Sequence, residues 1–195
     1  MLRLTSFLTS FIAFVFCTTV VKAQTPTAPK PGPEVKKLAI MVGKFTNKGE
    51  MKAGAMGPNS PAQKAIGTDD CRWVAGGFGV LCSTTGEFAG IKASSVALLC
   101  YDSASKMYHY LSIDNGGEVQ SSTGSISGDT WTWTGENVWQ GKVRHTRYTM
   151  KPVSKDSFEY SLEAGDSENS MTPVMTGKRT RITADKSSMS KPASK

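Results

Sequence analysis

Apolar and polar residues alternate along most of this chain with a period of two, which is the spacing that β-strands produce. Trp131 and Trp133 share one side of such a segment, and threonines occupy the other side. Phe158 and Tyr160 alternate with acidic and hydroxyl residues in the same way. A sheet with one apolar and one polar face is the usual antiparallel arrangement. The alternation also predicts one row of inward-facing side chains on a single strand: Met107, His109, Leu111 and Ile113.

Turn signals divide the alternating segments into strands at intervals of roughly eight to twelve residues. Gly76-Gly77 and Asn115-Gly116 are dipeptides typical of hairpin turns. Apolar residues at helical spacing between Pro33 and Gly43 predict a short helix before the first strand. About eight to ten successive strands indicate an all-β fold. They favour an up-and-down barrel, because closure of the sheet removes its exposed edges. We predict a single antiparallel up-and-down β-barrel with a short N-terminal helix.

Both ends of the chain depart from this pattern. Arg3 precedes a long apolar run, and Val21-Lys22-Ala23 has the small or branched residues at which signal peptidase cleaves. Hydroxyl residues inside the run argue against the alternative of a permanent membrane anchor. The mature protein is therefore expected to be exported, either periplasmic or secreted. The predicted organisation is a signal peptide (1–23), a Pro-rich linker (24–33), the β-barrel domain (34–182) and a disordered tail (183–195).

The formal net charge of +7 is concentrated outside the predicted domain. Residues 34–182 contain 17 basic and 15 acidic side chains, which leaves a net charge of +2. A nucleic-acid-binding domain usually gathers its positive charge in a patch or stripe. The scattered charge therefore excludes nucleic acid as an expected partner, and it leaves the oligomeric state open.

Cys71 and Cys82 lie symmetrically about Gly76-Gly77, so they face each other across the predicted hairpin. A two-residue turn would make them a hydrogen-bonded pair, which suits a disulfide poorly, whereas a four-residue turn (75–78) would make them a closer, non-hydrogen-bonded pair. We predict a structural disulfide; the alternatives are two buried thiols or a redox role. Cys100 follows an apolar run and is interpreted as a core residue rather than a nucleophile.

Few residues indicate a catalytic, metal-binding or ligand-binding role. Trp131, Trp133, His109 and Met107 are candidates for the wall of an apolar pocket, although core packing is the alternative for each. No catalytic motif or metal-ligand spacing is found. The adjacent Asp69-Asp70 residues point to opposite faces of a strand, so they are interpreted as a solvated strand end rather than a catalytic pair.

The domain resembles the lipocalin-like bacterial proteins known as domain of unknown function 1579. The resemblance is carried by the following residues: Gly43-Lys44-Phe45 after a short helix, Cys71-Arg72-Trp73 with Gly76-Gly77-Phe78 and Cys82, Leu99-Cys100-Tyr101-Asp102 with Tyr108, and Arg179 with Arg181. It implies a calycin-type barrel. In lipocalin-like barrels a tryptophan of the first strand packs near an arginine of the last strand. The implied closure here joins Phe45, in place of that tryptophan, to Arg179 or Arg181.

These observations together predict an exported, non-catalytic barrel that binds a small apolar ligand, with no cofactor. Three alternatives stay open. The first is an envelope-associated interaction protein without a ligand. The second is an enzyme that works at the barrel mouth, and the third is a haem protein that uses His109 as its axial ligand.

Overall fold

The computed structural model describes residues 29–183 apart from residues 89 and 140. The predicted signal peptide, residues 24–28 of the linker and residues 184–195 of the tail lie outside this part of the chain. In the described part, antiparallel strands pair in sequence order, and the last pairs with the first to close a barrel. The predicted fold is therefore confirmed. The ten strands are β1 (Gly43–Met51), β2 (Gln63–Val74), β3 (Gly79–Phe88), β4 (Ile91–Asp102), β5 (Met107–Asp114), β6 (Val119–Ser127), β7 (Thr130–Trp139), β8 (Lys142–Ser154), β9 (Ser157–Gly165) and β10 (Thr172–Arg181).

The N-terminal helix covers one end of the barrel. Helix α1 (Pro33–Lys37) continues as a 3-10 turn over Leu38–Met41. Pro33 suits the first turn because the backbone N–H that it lacks has no helical partner there. Leu38 and Met41 are buried and belong to the main hydrophobic cluster of the barrel. The helix thus acts as a plug rather than as an independent element. No helix in the described residues is long and apolar enough to span a membrane.

Aromatic rings fill the interior beneath the helix. The ring centroid of Tyr108 lies 5.0 Å from that of Trp131 and 6.2 Å from that of Trp133. Gly124 makes room for these rings, because a Cβ atom there would collide with the Trp133 indole. The Tyr108 hydroxyl donates to the backbone carbonyl of Glu34 at 3.0 Å and to the Glu34 carboxylate at 2.9 Å. We call the region formed by the helix and these rings the packed end.

The side chains of β5 face the opposite way from the prediction. Tyr108 is buried inside the barrel, whereas Leu111 and Ile113 are 52% and 51% exposed on the outer wall. Met107 and His109 share that outer side because side chains alternate along a strand. The interpretation of this row as inward-facing is therefore wrong. Both faces of β5 carry large apolar side chains, and the fit of Tyr108 between the tryptophans and the helix decides which face is inside.

The hairpin between β2 and β3 has a four-residue turn, because Val74 and Gly79 form its last pair. Cys71 and Cys82 lie directly opposite each other with their Cα atoms 4.0 Å apart, and they form a disulfide. This separation matches the closer, non-hydrogen-bonded type of antiparallel pair. The predicted disulfide is confirmed, and the length of the turn decides the question that the sequence left open.

Candidate ligand-binding cavity

Beyond the packed end, the barrel encloses a cavity of about 520 Å³. The wall formed by β2, β3 and β4 includes several small residues: Ala65, Gly67, Gly86 and Ala97. The facing wall consists of large side chains on β7, β8 and β9: Trp133, Tyr148, Met150, Tyr160 and Leu162. Gly67 and Gly86 are directly opposed, and a Cβ atom on Gly86 would lie only 2.8 Å from the Gly67 Cα, so neither position admits a side chain without a shift of the strands. The volume lies within the roughly 300–1,000 Å³ of small-molecule sites.

A buried ion pair lies at the base of the cavity. The Nε atom of Arg179 is 2.9 Å from Oδ2 of Asp69, and the two side chains are only 8% and 12% exposed. The Thr84 hydroxyl donates to the other Asp69 oxygen at 2.8 Å. The Nη atoms of Arg179 contact sulfur, with Met41 Sδ at 3.3 Å and Cys71 Sγ at 3.4 Å. The two charges compensate each other, so the base of the cavity is polar but carries no net charge.

The structure brings the residues of the implied barrel closure together. The Phe45 ring lies under two guanidinium groups, that of Arg179 at 3.7 Å and that of Arg181 at 4.5 Å from the ring centroid. Arg181 also donates to the backbone carbonyl of Ile40 at 3.2 Å and lies 3.3 Å from a carboxylate oxygen of Asp156. Cations over an aromatic face are attracted to its ring electrons. These contacts join the last strand, the first strand and the helix at the packed end.

Three tyrosines line the cavity around the ion pair: Tyr110, Tyr148 and Tyr160. Burial raises the pKa of each hydroxyl, and the Asp69 carboxylate adds to this effect. All three are therefore protonated at neutral pH and are able to donate a hydrogen bond. The Tyr148 and Tyr160 rings stack with their centroids 5.6 Å apart. No hydrogen bond joins the hydroxyl of either ring to another described residue. The cavity thus presents two donors that the described protein does not use.

A second polar group lies further from the base. The Asn137 amide nitrogen donates to the Thr146 hydroxyl at 2.7 Å, and that hydroxyl donates to the carbonyl of Gly135 at 3.1 Å. The Asn137 Oδ1 atom is buried and has no hydrogen-bond partner among the described residues. Both Asn137 and Thr146 line the cavity. The cavity therefore has donors at its base and an acceptor nearer its other end.

The predicted pocket residues fall in three different places. Trp133 lines the cavity, and Trp131 is buried in the packed end. Met107 and His109 lie on the outer side of β5, where the His109 Nε2 atom is 3.5 Å from the exposed Ser105 hydroxyl. Haem ligation by His109 inside the barrel would require an inward-pointing ring, and the ring points outward. The interpretation of His109 as inward-facing is therefore wrong. In the described part of the chain, no three acidic, histidine or cysteine side chains gather in a way that would hold a metal ion.

Asp69 lines the cavity and is largely buried, so its interpretation as part of a solvated strand end is wrong. Asp70 does point outward, and its carboxylate lies 3.4 Å from Nζ of Lys44 in an exposed pair. One signal for Asp69 was available in the sequence. Asp69 and Cys71 are two residues apart and share a strand face, so a buried disulfide implies an inward Asp69.

Cys100 is the free cysteine of the described residues. It is half-buried on the outer side of β4, because its neighbour Leu99 points into the barrel. It is therefore not the fully buried core residue that we predicted. Burial raises the pKa of its thiol, and the Asp102 carboxylate raises it further. These effects reduce its reactivity as a nucleophile.

Solved structures with a similar fold share little sequence with this chain. The crystal structure of Rv2717c from M. tuberculosis is 13% identical with a TM-score of 0.55, and the match covers 79% of this chain and 100% of that chain. The structure of the S-type phycobiliprotein lyase CPES from Guillardia theta is 11% identical with a TM-score of 0.54, and the match covers 77% of this chain and 93% of that chain. At these identities the likeness shows the fold alone. No curated protein matches the sequence.

A family model matches residues 30–181, which contain all ten strands, the plug helix and the disulfide. This range agrees with the region over which the sequence motifs indicate a resemblance. The chain therefore belongs to the family described as protein of unknown function (DUF1579).

Proposed function

We propose that this protein is an exported, non-catalytic binding protein that holds one small molecule inside its barrel. The observation that carries the proposal is the cavity of about 520 Å³, which lies between β2–β4, where small residues line it in part, and the large side chains of β7, β8 and β9. Protein interiors are normally close-packed, and an unfilled cavity lowers stability in proportion to its volume. A cavity of this size is well above what packing irregularities produce, and it suits a ligand.

The cavity chemistry favours an uncharged, mostly apolar molecule with a hydrogen-bond acceptor such as a carbonyl oxygen. Trp133 and Leu162 offer apolar contact, and the Tyr148 and Tyr160 hydroxyls offer donors. A ligand carboxylate is disfavoured, because the positive charge at the base is already compensated by Asp69. A buried charge without its own partner costs several kcal/mol, on the order of 3–5. This specifies one polar group on the small, largely apolar ligand that the sequence suggested.

Export is proposed from the pattern of residues 1–23 and is supported by the Cys71–Cys82 disulfide. Disulfides persist mainly in oxidising compartments outside the cytoplasm. The test is N-terminal sequencing of the protein recovered from a cell fraction outside the cytoplasm. We expect the chain to begin at Gln24. Recovery of the chain from the cytoplasm alone, with its first residues still attached, would contradict export.

The binding proposal is tested with two fluorescent probes that share one ring system. N-phenyl-1-naphthylamine is uncharged, whereas 8-anilino-1-naphthalenesulfonate carries a sulfonate. Titration of the mature protein is expected to show one site for the uncharged probe and at least about tenfold weaker binding of the sulfonate, since each tenfold corresponds to about 1.4 kcal/mol. Equal affinity for both probes would contradict the proposed preference for uncharged ligands.

A matched pair of variants locates the site. Ala65 faces the cavity and Thr68 faces outward on the same strand. Ala65→Phe should abolish binding of N-phenyl-1-naphthylamine by filling the cavity, and Thr68→Phe should leave the binding unchanged. Circular dichroism checks that both variants are folded. If both variants bind the probe as the wild type does, the cavity is not the binding site.

A further inference from the structure

Five exposed apolar side chains form one continuous patch on the outer wall, separate from the cavity. They are paired across neighbouring strands, Val96 with Ile113 and Leu98 with Leu111 between β4 and β5, and Ile113 with Val119 between β5 and β6. Each of them is between 40% and 55% exposed. We call this surface the β4–β6 patch, and its members are Val96, Leu98, Leu111, Ile113 and Val119.

The patch is comparable in area with the largest apolar patch of a typical monomer. Five half-exposed side chains of this size present on the order of 400 Å² of apolar surface, within the roughly 300–600 Å² of the largest patch on a typical monomer, which is often functional. A standard interface buries about 800 Å² on each partner, with an apolar centre and a polar rim. The β4–β6 patch therefore supplies the centre of an interface of ordinary size.

The patch itself carries no charged side chain, and the residues paired with it on the neighbouring strands include hydroxyl side chains. Ser83 pairs with Val96, and Ser121 pairs with Leu111. The opposite outer wall differs, because its exposed positions on β1, β2 and β10 include four lysines against two acidic residues, Glu50 and Asp70; the lysines are Lys44, Lys48, Lys64 and Lys178. In a two-fold contact the same surface meets itself, so like charges on that surface would repel each other. The β4–β6 patch avoids this repulsion, whereas the lysine-rich wall does not.

We propose that the β4–β6 patch is a two-fold interface between two copies of this chain. The outer faces of the two β4–β6 sheets pack against each other at the spacing of about 10 Å that is usual for stacked sheets. A second copy covers the patch on both chains at once, because an uncharged apolar surface is complementary to itself. The interface does not depend on ligand binding, since its side chains point away from the cavity.

Sedimentation equilibrium of the mature protein from about 1 to about 100 µM tests the proposal through the mass action of dimerisation. The key variant is Leu111→Glu, which places a charge in the centre of the patch. The matched control is Ile66→Glu, whose exposure on β2 is 55% against 52% for Leu111. We expect a wild-type dimer, at least a tenfold rise of its dissociation constant in Leu111→Glu, and no change in Ile66→Glu.

Two results would overturn the proposal. One is a wild-type protein that stays monomeric over the whole concentration range. The other is a dimer that Leu111→Glu and Ile66→Glu weaken equally, which would place the interface elsewhere. Flotation with phosphatidylcholine vesicles distinguishes another occupant, since a monomer that binds vesicles and loses this binding in Leu111→Glu would assign the patch to a lipid surface.

Discussion

The two ends of the barrel interior are built on the same alternation of inward and outward side chains but differ in what occupies them. At the packed end, Leu38 and Phe45 are almost wholly buried and the helix closes the opening. At the other end, inward positions such as Ala65 and Gly67 are too small to meet the facing wall, and a cavity of about 520 Å³ results. Side-chain size, rather than the fold itself, therefore decides which part of the barrel is packed core and which part is a cavity.

Polarity separates the two ends as well. The packed end is held by ring contacts and by arginines that lie over Phe45. At the cavity end, the hydroxyls of Tyr148 and Tyr160 donate no hydrogen bond to a described residue. Unused polar groups lower stability, and they persist where a ligand is able to pair with them. The two ends of one barrel therefore differ in packing and in polar groups, and the cavity end is where we propose that a ligand binds.

The largest expected effect is loss of a packed-end side chain. Phe45→Ala should lower the free energy of unfolding by about 3–5 kcal/mol, as for other large-to-small core changes, with the ring contacts to both arginines lost as well. Urea unfolding followed by tryptophan fluorescence measures this. The control Lys48→Ala, exposed on the same strand, should change the value by less than about 0.5 kcal/mol. A similar decrease in the free energy of unfolding in both variants would contradict the conclusion that the packed end stabilises the barrel.

The buried ion pair between the two ends gives the next effect. Asp69→Ala leaves the Arg179 guanidinium without its carboxylate and should cost about 3 kcal/mol. The adjacent Asp70→Ala removes an exposed pair with Lys44 and should cost at most about 1 kcal/mol. The same unfolding experiment compares them. Equal costs would mean that Asp69 is solvated, as the sequence alone suggested.

High pH should destabilise the cavity end. Burial raises the pKa of Tyr148 in the folded protein above the value of about 10 in the unfolded chain. Above pH 10 the unfolded chain therefore binds fewer protons, and the free energy of unfolding falls by up to about 1.4 kcal/mol per pH unit for this group. Tyr148→Phe should show a shallower decline between about pH 9 and 11. Identical slopes in wild type and variant would exclude a buried, protonated Tyr148.

The smallest effect concerns the unused donors. The double variant Tyr148→Phe with Tyr160→Phe should change stability by less than about 1 kcal/mol, because neither hydroxyl bonds to a described residue. Its binding of 2-acetylnaphthalene should weaken by roughly three- to tenfold, while that of 2-ethylnaphthalene stays constant. Fluorescence competition against N-phenyl-1-naphthylamine measures both. A parallel loss for the two compounds would show that the hydroxyls do not bind the carbonyl.

The sequence predicts the fold well, because alternation and turn signals are local. It left the Cys71–Cys82 geometry dependent on turn length, and the four-residue turn resolved it. It failed at β5, where His109 was placed inside, because an apolar outer patch gives the wrong face the stronger apolar signal. The cavity was beyond prediction for a similar reason. It depends on Gly67 meeting Gly86 and on Asp69 meeting Arg179, which are contacts between segments distant in sequence.

The most direct test of the account is native mass spectrometry of the mature wild-type protein and of Ala65→Phe, each recovered from the exported fraction and then incubated with N-phenyl-1-naphthylamine. We expect the wild type to carry one small molecule, either its own ligand or the probe, which is released on denaturation. The Ala65→Phe protein should show the mass of the chain alone. If the wild type also shows only the mass of the chain, the cavity binds no molecule of this class and the central claim fails.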